Sequence, residues 1–241
     1  MERVKEPVLE RGVCEQRFDV DCEGRTVPAL LWTPEEKVVS AIVLLGHGGS
    51  LNKRADYILA IARRLVRHHG VSALAIDGPG HGDRRPDGGT DPERVGKGFE
   101  AAWSRPEATD EIVADWKAAL GAVQSEWGSG PIGYFGLSMG TMMGVPVIAA
   151  LPEVRVAVLG LMGVWGPNAE RLAADAPEVS CPVRFLAQWD DEIVPRDKVL
   201  QLFDLLGTRQ KGLHAYPGKH AAVPPQEMRA VSDFLASYLR Q

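Results

Sequence analysis

A serine flanked by glycines, Gly136-Leu137-Ser138-Met139-Gly140, follows a short apolar run and opens a second apolar stretch. On a tight strand-to-helix turn such a serine presents its hydroxyl at the sheet edge, and the glycines remove side chains that would clash there. The helix N-terminus beneath supplies free N–H groups and a positive dipole end where negative charge would develop. Ser138 is therefore the candidate nucleophile; its simpler role would be an N-cap beside turn glycines. A serine hydroxyl is weak until a base takes its proton and a carboxylate orients that base. Six histidines compete for the role of base. His68 and His69 close a helical stretch, where the dipole favours a cation. His47 and His81 sit in glycine-rich turns and suit holding those turns by hydrogen bonds. His214 falls inside a strand. His220 lies in Tyr216-Pro217-Gly218-Lys219-His220, between the last strand and the closing helix, and is the candidate base. The acid belongs in Asp190-Asp191-Glu192, where three adjacent carboxylates leave the choice open.

These residues need a scaffold that delivers strand ends to one place. Val13–Val20 and Arg25–Thr33 read as a hairpin joined by Asp21-Cys22-Glu23-Gly24, with glycine where positive φ is needed. Val38–Leu45 is apolar on both faces, as a central parallel strand is, and ends at Gly46-His47-Gly48-Gly49. Helical stripes then alternate with strands. Helices are predicted over Arg54–His69, Asp110–Trp127, Met139–Leu151, Asp197–Leu206 and Pro225–Leu239. Strands are predicted over Val71–Ile76, Ile132–Phe135, Val154–Leu161, Val183–Ala187 and Lys211–Tyr216. The pattern implies an α/β fold: a doubly wound, mostly parallel eight-stranded sheet with helices on both faces. Residues 1–241 read as one domain. The stretch Gly82–Pro106, rich in Gly, Pro, Asp and Arg, reads as an irregular flap or lid excursion after a strand's carboxyl end, where open α/β sheets bind ligands. Pro146 interrupts a helix and leaves the Met142 carbonyl without its helical donor.

Composition narrows the function. The 241 residues are 45% hydrophobic, and 27 Lys/Arg against 32 Asp/Glu give a net charge of −5, so nothing basic points to nucleic acid or an anionic membrane. No apolar run approaches a bilayer span and the first residues lack a secretory signal, so the expectation is a cytoplasmic protein. Cys14, Cys22 and Cys181 have neither disulfide nor zinc spacing and read as small apolar residues. No phosphate-binding glycine loop is present, and neither a metal nor an organic cofactor is called for. Lys53, Arg54, Arg84 and Arg85 offer attraction for an anionic substrate, or are simply surface charges.

The elbow, the Ser…Asp…His order, His47-Gly48-Gly49 after the third strand and Asp77-Gly78-Pro79-Gly80-His81-Gly82 after the fourth together resemble the α/β-hydrolase family. The closest similarity is to its small dienelactone-hydrolase-like and esterase-like members, over about residues 13–240. That resemblance implies Asp191 as the acid, counted back from Val194-Pro195, with Gln188 where the family usually has glycine. It also implies an oxyanion hole made by the N–H groups of Met139 and Gly49, with Gly48 or Ser50 as alternatives to Gly49. With no long insertion between the strands ending at Leu161 and starting at Val183, no large cap domain is expected. Trp165, Gly48 and Ser50 are then assigned to the substrate pocket, with interior packing as the alternative for Trp165. The implied activity is hydrolysis of a small-molecule carboxylic ester or thioester through an acyl-enzyme. A serine rather than cysteine nucleophile argues against a dienelactone substrate. Acyl transfer, peptide cleavage, C–C hydrolysis or a non-catalytic ligand receptor are the alternatives on the same scaffold.

Overall fold

The computed structural model describes residues 1–36, 38–85 and 92–240, with only the backbone of residues 92–95. Two short strands, β1 (Glu2–Arg3) and β2 (Val8–Glu10), precede the predicted hairpin β3 (Val13–Cys22) and β4 (Arg25–Pro34). The hairpin turn takes positive φ at both Glu23 and Gly24. There follow β5 (Ile42–Gly46), α1 (Asp56–Arg64) continuing as a π-turn over Leu65–His69, and β6 (Ser72–Ile76). Helices α2 (Pro92–Trp103) and α3 (Ala108–Trp127) lead to β7 (Ile132–Gly136), α4 (Met139–Ala149) and β8 (Val154–Gly160). Helix α5 (Ala169–Asp175), β9 (Val183–Gln188), α6 (Arg196–Leu205), β10 (Lys211–Tyr216) and α7 (Pro225–Leu239) complete the chain.

Among the described residues the ten strands form one sheet in the order β1-β3-β4-β6-β5-β7-β8-β9-β10, with β2 beside β3. Eight are the strands expected from sequence. The additions, β1 and β2, are too short to carry a period and are held only by pairing with β3. Pairing is antiparallel from β1 to β4 and between β4 and β6, and parallel from β6 onward. The chain crosses from β5 to β6 on one side and returns to β7 on the other, so strand order reverses at β5. Gly46 and Gly136, the last residues of β5 and β7, face each other in register. A crevice beyond the carboxyl ends at such a reversal is where open α/β sheets hold ligands. One apolar layer packs β-sheet side chains against α1 and α7, and the other packs them against α3, α4 and α6. No described helix is long and apolar enough to cross a membrane.

The stretch expected to be irregular after β6 contains helix α2. Gly96 and Gly98 lower its helical propensity, which hides it from a local reading. Tertiary burial compensates: Trp103 is 4% exposed, and Phe99 and Ala102 pack against the core. Residues 86–91 of that expected flap lie outside the described residues. Pro146 sits inside α4 as read, and the structure supplies the missing donor. Asn168 Nδ2 reaches the Met142 carbonyl at 3.4 Å, and Thr109 Oγ1 donates to Asn168 Oδ1 at 2.9 Å. The three cysteines are buried and free.

Candidate active site

Ser138 stands between β7 and α4 with φ 57° and ψ −121°, a left-handed conformation that L-residues adopt only under constraint. The constraint is close packing. A β-carbon at Gly136 would lie 2.4 Å from the Gly140 carbonyl oxygen, and one at Gly140 would lie 2.3 Å from that of Gly46, so neither position admits a side chain. The Ser138 N–H donates to the Gly160 carbonyl at 2.9 Å. Thr141, wholly buried, presses the same point: its hydroxyl sits 2.8 Å from the Gly136 carbonyl oxygen and accepts the Gly160 N–H at 2.7 Å. It thereby ties the elbow to β8. No motif marks Thr141, because its partners arrive from another strand.

The parallel pair β9–β10 places the loop after β9 beside the loop after β10. His220 Nε2 lies 2.9 Å from Ser138 Oγ, and His220 Nδ1 lies 2.7 Å from Asp191 Oδ2. A carboxylate accepts, so Nδ1 carries the proton and the lone pair of Nε2 faces the serine. Asp191 Oδ1 takes the N–H groups of Ile193 and Val194 at 2.8 and 2.9 Å, and its side chain is only 2% exposed. The neighbouring acids bind the same loop by its backbone. Asp190 Oδ2 accepts the Gly218 N–H at 3.1 Å, and Glu192 Oε2 accepts the His220 N–H at 2.9 Å. Gln188, where the family resemblance led to glycine, is 3% exposed and donates to the Lys219 carbonyl at 3.2 Å. It is a further tether of the histidine loop.

The loop after β5 is held as tightly. Wholly buried His47 donates from Nδ1 to the Gly48 carbonyl at 2.8 Å and accepts the Gly78 N–H on Nε2 at 2.9 Å. Burial pushes its pKa down to about 4 from an ordinary 6.5, although the Gly48 carbonyl and Asp77 pull the other way. With the Gly48 carbonyl pinned, the planar peptide aims the Gly49 N–H in the opposite direction. His81 donates from Nδ1 to the Pro79 carbonyl, 2.8 Å away, and burial lowers its pKa too. Both histidines hold turns, as read. His214 is half-buried on β10 and His69 meets Asp233 at 3.1 Å, and the imidazole hydrogen-bonded to Ser138 is that of His220.

Two clefts meet at Ser138. One, of about 370 Å³, includes Gly49, Ser50, Met139, Met142, Met162 and Trp165, with Phe99 of α2 also on its wall. The other, of about 310 Å³, includes Gly48, Gly49, Tyr57, Leu137, Leu161 and Met228. His220 borders both. All three residues assigned to the pocket, Trp165, Gly48 and Ser50, thus line a cleft, and Trp165 is 45% exposed there. Of the four cations singled out for an anionic substrate, three are held in ion pairs, and Lys53 is 4% exposed rather than a surface charge. Lys53 contacts Asp77 at 2.6 Å and also Asp83, Arg54 contacts Glu15 at 2.8 Å, and Arg84 contacts Asp115 at 2.7 Å. Sequence reading missed Tyr57, Thr141, Asn168 and Phe99. Only Phe99, in an apolar stripe with Trp103, left a local signal.

A doubly wound sheet with a strained serine at the switch point defines an α/β hydrolase, and residues 42–239 match the alpha/beta hydrolase family. The chain belongs to that family. It is similar at 46% identity to a cold-adapted esterase from an Arctic intertidal metagenomic library, solved as a PEG-bound complex, over 99% of this chain and 100% of that one, with a TM-score of 0.88. Two more distant structures share the fold. An acetyl xylan esterase from Paenibacillus sp. is 18% identical over 97% of this chain and 88% of its own, with a TM-score of 0.76. A dienelactone hydrolase from Anabaena variabilis is 17% identical over 95% and 98%, with a TM-score of 0.70. No curated protein matches the chain.

Proposed function

We propose that this single-domain protein hydrolyses carboxylic esters through an acyl-enzyme on Ser138, with His220 as base and Asp191 as its orienting acid. The observation that carries the reading is the unbroken chain Ser138 Oγ, His220, Asp191 at 2.9 and 2.7 Å on a serine held at positive φ. Ester hydrolysis is the activity of the full-length relative at 46% identity. As Oγ attacks the carbonyl carbon, its proton passes to His220 Nε2 and the carbonyl oxygen becomes an oxyanion. The N–H groups of Met139, at the start of α4, and Gly49 are the donors for that charge; losing one such donor costs about 3–4 kcal/mol of transition-state stabilisation. Collapse expels the alcohol with the proton from His220. Water then gives a proton to the same nitrogen, attacks the acyl carbon and releases the acid.

The leaving oxygen must receive its proton from His220, which borders both clefts. We assign the alcohol half to the cleft that the rest of the histidine loop walls, through Ala221, Val223 and Met228. The acyl half then lies among Met139, Met142, Met162 and Trp165, with α2 contributing Phe99 as the covering element of the expected flap. The test is stoichiometric labelling by a fluorophosphonate alongside turnover of p-nitrophenyl esters of increasing chain length. Failure of Ser138→Ala to abolish both would move the nucleophile elsewhere. Butanol offered as a competing acceptor separates hydrolysis from acyl transfer.

A further inference from the structure

Apart from Ser138 and His220 themselves, Tyr57 brings the one polar side chain among the described residues that line the alcohol-side cleft. Tyr57, on the first turn of α1, packs its ring against Phe135 with centroids 6.2 Å apart. Its oxygen accepts the Gly48 N–H at 2.7 Å. A phenol also carries a proton. Among the described residues no acceptor stands within hydrogen-bonding distance of that proton, and burial, acting against the ionised form, pushes the phenol's pKa up. The hydroxyl therefore remains a donor with its one acceptor role already filled.

Its position faces the substrate space. A β-carbon at Gly48 would stand 3.7 Å from the Tyr57 oxygen, 3.8 Å from the Leu137 carbonyl oxygen and 3.8 Å from the Leu51 δ-carbon. All four residues line the cleft that contains Ser138, so the hydroxyl borders the room that glycine leaves open. Around it are Leu51, Leu137, Leu161, Val223 and Met228, none of which offers a polar side chain. A purely alkyl group seated there would strip water from the hydroxyl and give nothing back, whereas an oxygen would be paired.

We infer that Tyr57 is a specificity-determining residue that donates a hydrogen bond to an ether or hydroxyl oxygen in the alcohol half of the substrate, so that esters of short alkoxy- or hydroxy-alcohols are preferred to alkyl esters of equal length. This rests on the Ser138 reading and on the alcohol half occupying the histidine-side cleft.

The experiment compares isosteric esters: 2-methoxyethyl butanoate against butyl butanoate, with kcat/KM for each divided by its alkaline hydrolysis rate. The normalised preference for the methoxy ester falls about threefold to tenfold from wild type to Tyr57→Phe. Loss of the Gly48 N–H acceptor slows both esters together and leaves their ratio untouched, so the ratio reads the substrate contact alone. A second pair, methyl 3-methoxypropanoate against methyl pentanoate, places the oxygen in the acyl half, and its ratio stays unchanged. A preference that is the same in Tyr57→Phe overturns the inference, as does a response confined to the acyl pair. Ser138→Ala, run on the same esters, separates the two ideas. Retained turnover there overturns the serine reading itself, whereas Ser138-dependent turnover with an unmoved ratio overturns only the role of Tyr57.

Discussion

Replacing Asp191 by asparagine changes one atom that matters. Oδ1 already takes two backbone N–H groups, from Ile193 and Val194. Those donors keep an oxygen in that position, so the new amide nitrogen must occupy the site of Oδ2, 2.7 Å from His220 Nδ1. An amide N–H donates, which forces Nδ1 to become the acceptor and moves the imidazole proton to Nε2. That proton then points at Ser138 Oγ, 2.9 Å away, and the ring can no longer take the hydroxyl proton. In Ser-His-Asp proteases the same tautomer error costs about 10⁴ in kcat, or about 5 kcal/mol. Asp191→Asn is expected to lose at least about 10²-fold in kcat on p-nitrophenyl butanoate, with an unchanged thermal unfolding midpoint. The neighbours serve as controls. Asp190 and Glu192 each accept a single exposed backbone N–H, and asparagine or glutamine keeps an oxygen for it. Asp190→Asn and Glu192→Gln are therefore expected to stay within about tenfold of wild type. A crippled Asp190→Asn beside a nearly normal Asp191→Asn would refute the tautomer argument and shift the acid by one residue.

Three further outcomes follow from the geometry. Ser138→Ala should lose ester turnover and fluorophosphonate labelling while keeping its circular dichroism spectrum; a variant that still labels is not explained by this site. Asn168→Leu should destabilise the fold by about 2–4 kcal/mol in urea, because it leaves the Met142 carbonyl and the Thr109 hydroxyl unpaired. Pro146→Ala restores a helical N–H to that carbonyl, so it should recover about 1 kcal/mol more in the Asn168→Leu background than in wild type, and strict additivity would count against the pairing. His47 is neutral when folded down to about pH 4 but takes a proton below 6.5 when unfolded. Its contribution is thus complete above pH 6.5 and declines as the pH falls toward 4, by up to about 3 kcal/mol. The stability difference between wild type and His47→Asn, measured by urea unfolding, should shrink over that window, and a flat difference would mean the ring is not buried neutral.

The parts of this protein that its sequence determines are those where a residue and its structural reason lie close together in the chain. The elbow is legible because strand, glycines, serine and helix N-terminus are contiguous. His220 is legible because it alone among the histidines sits on a loop between the last strand and the closing helix. The eight main strands show because apolar runs of strand length end at glycine-rich turns. What only tertiary structure decides rests on groups brought together from afar. Asp190, Asp191 and Glu192 are alike in sequence; the parallel pairing of β9 with β10 aims one at the imidazole and the other two at backbone N–H groups. Helix α2 forms against the propensity of its glycines because Phe99 and Trp103 find apolar surface on the core. Pro146 is tolerated because Asn168, beyond β8, supplies the donor that the helix lost. Tyr57 faces Gly48 because α1 folds back over the end of β5. A hydrogen bond acts over about 3 Å whatever the number of residues between its ends. Local periodicity carries no trace of such partners until the sheet has assembled.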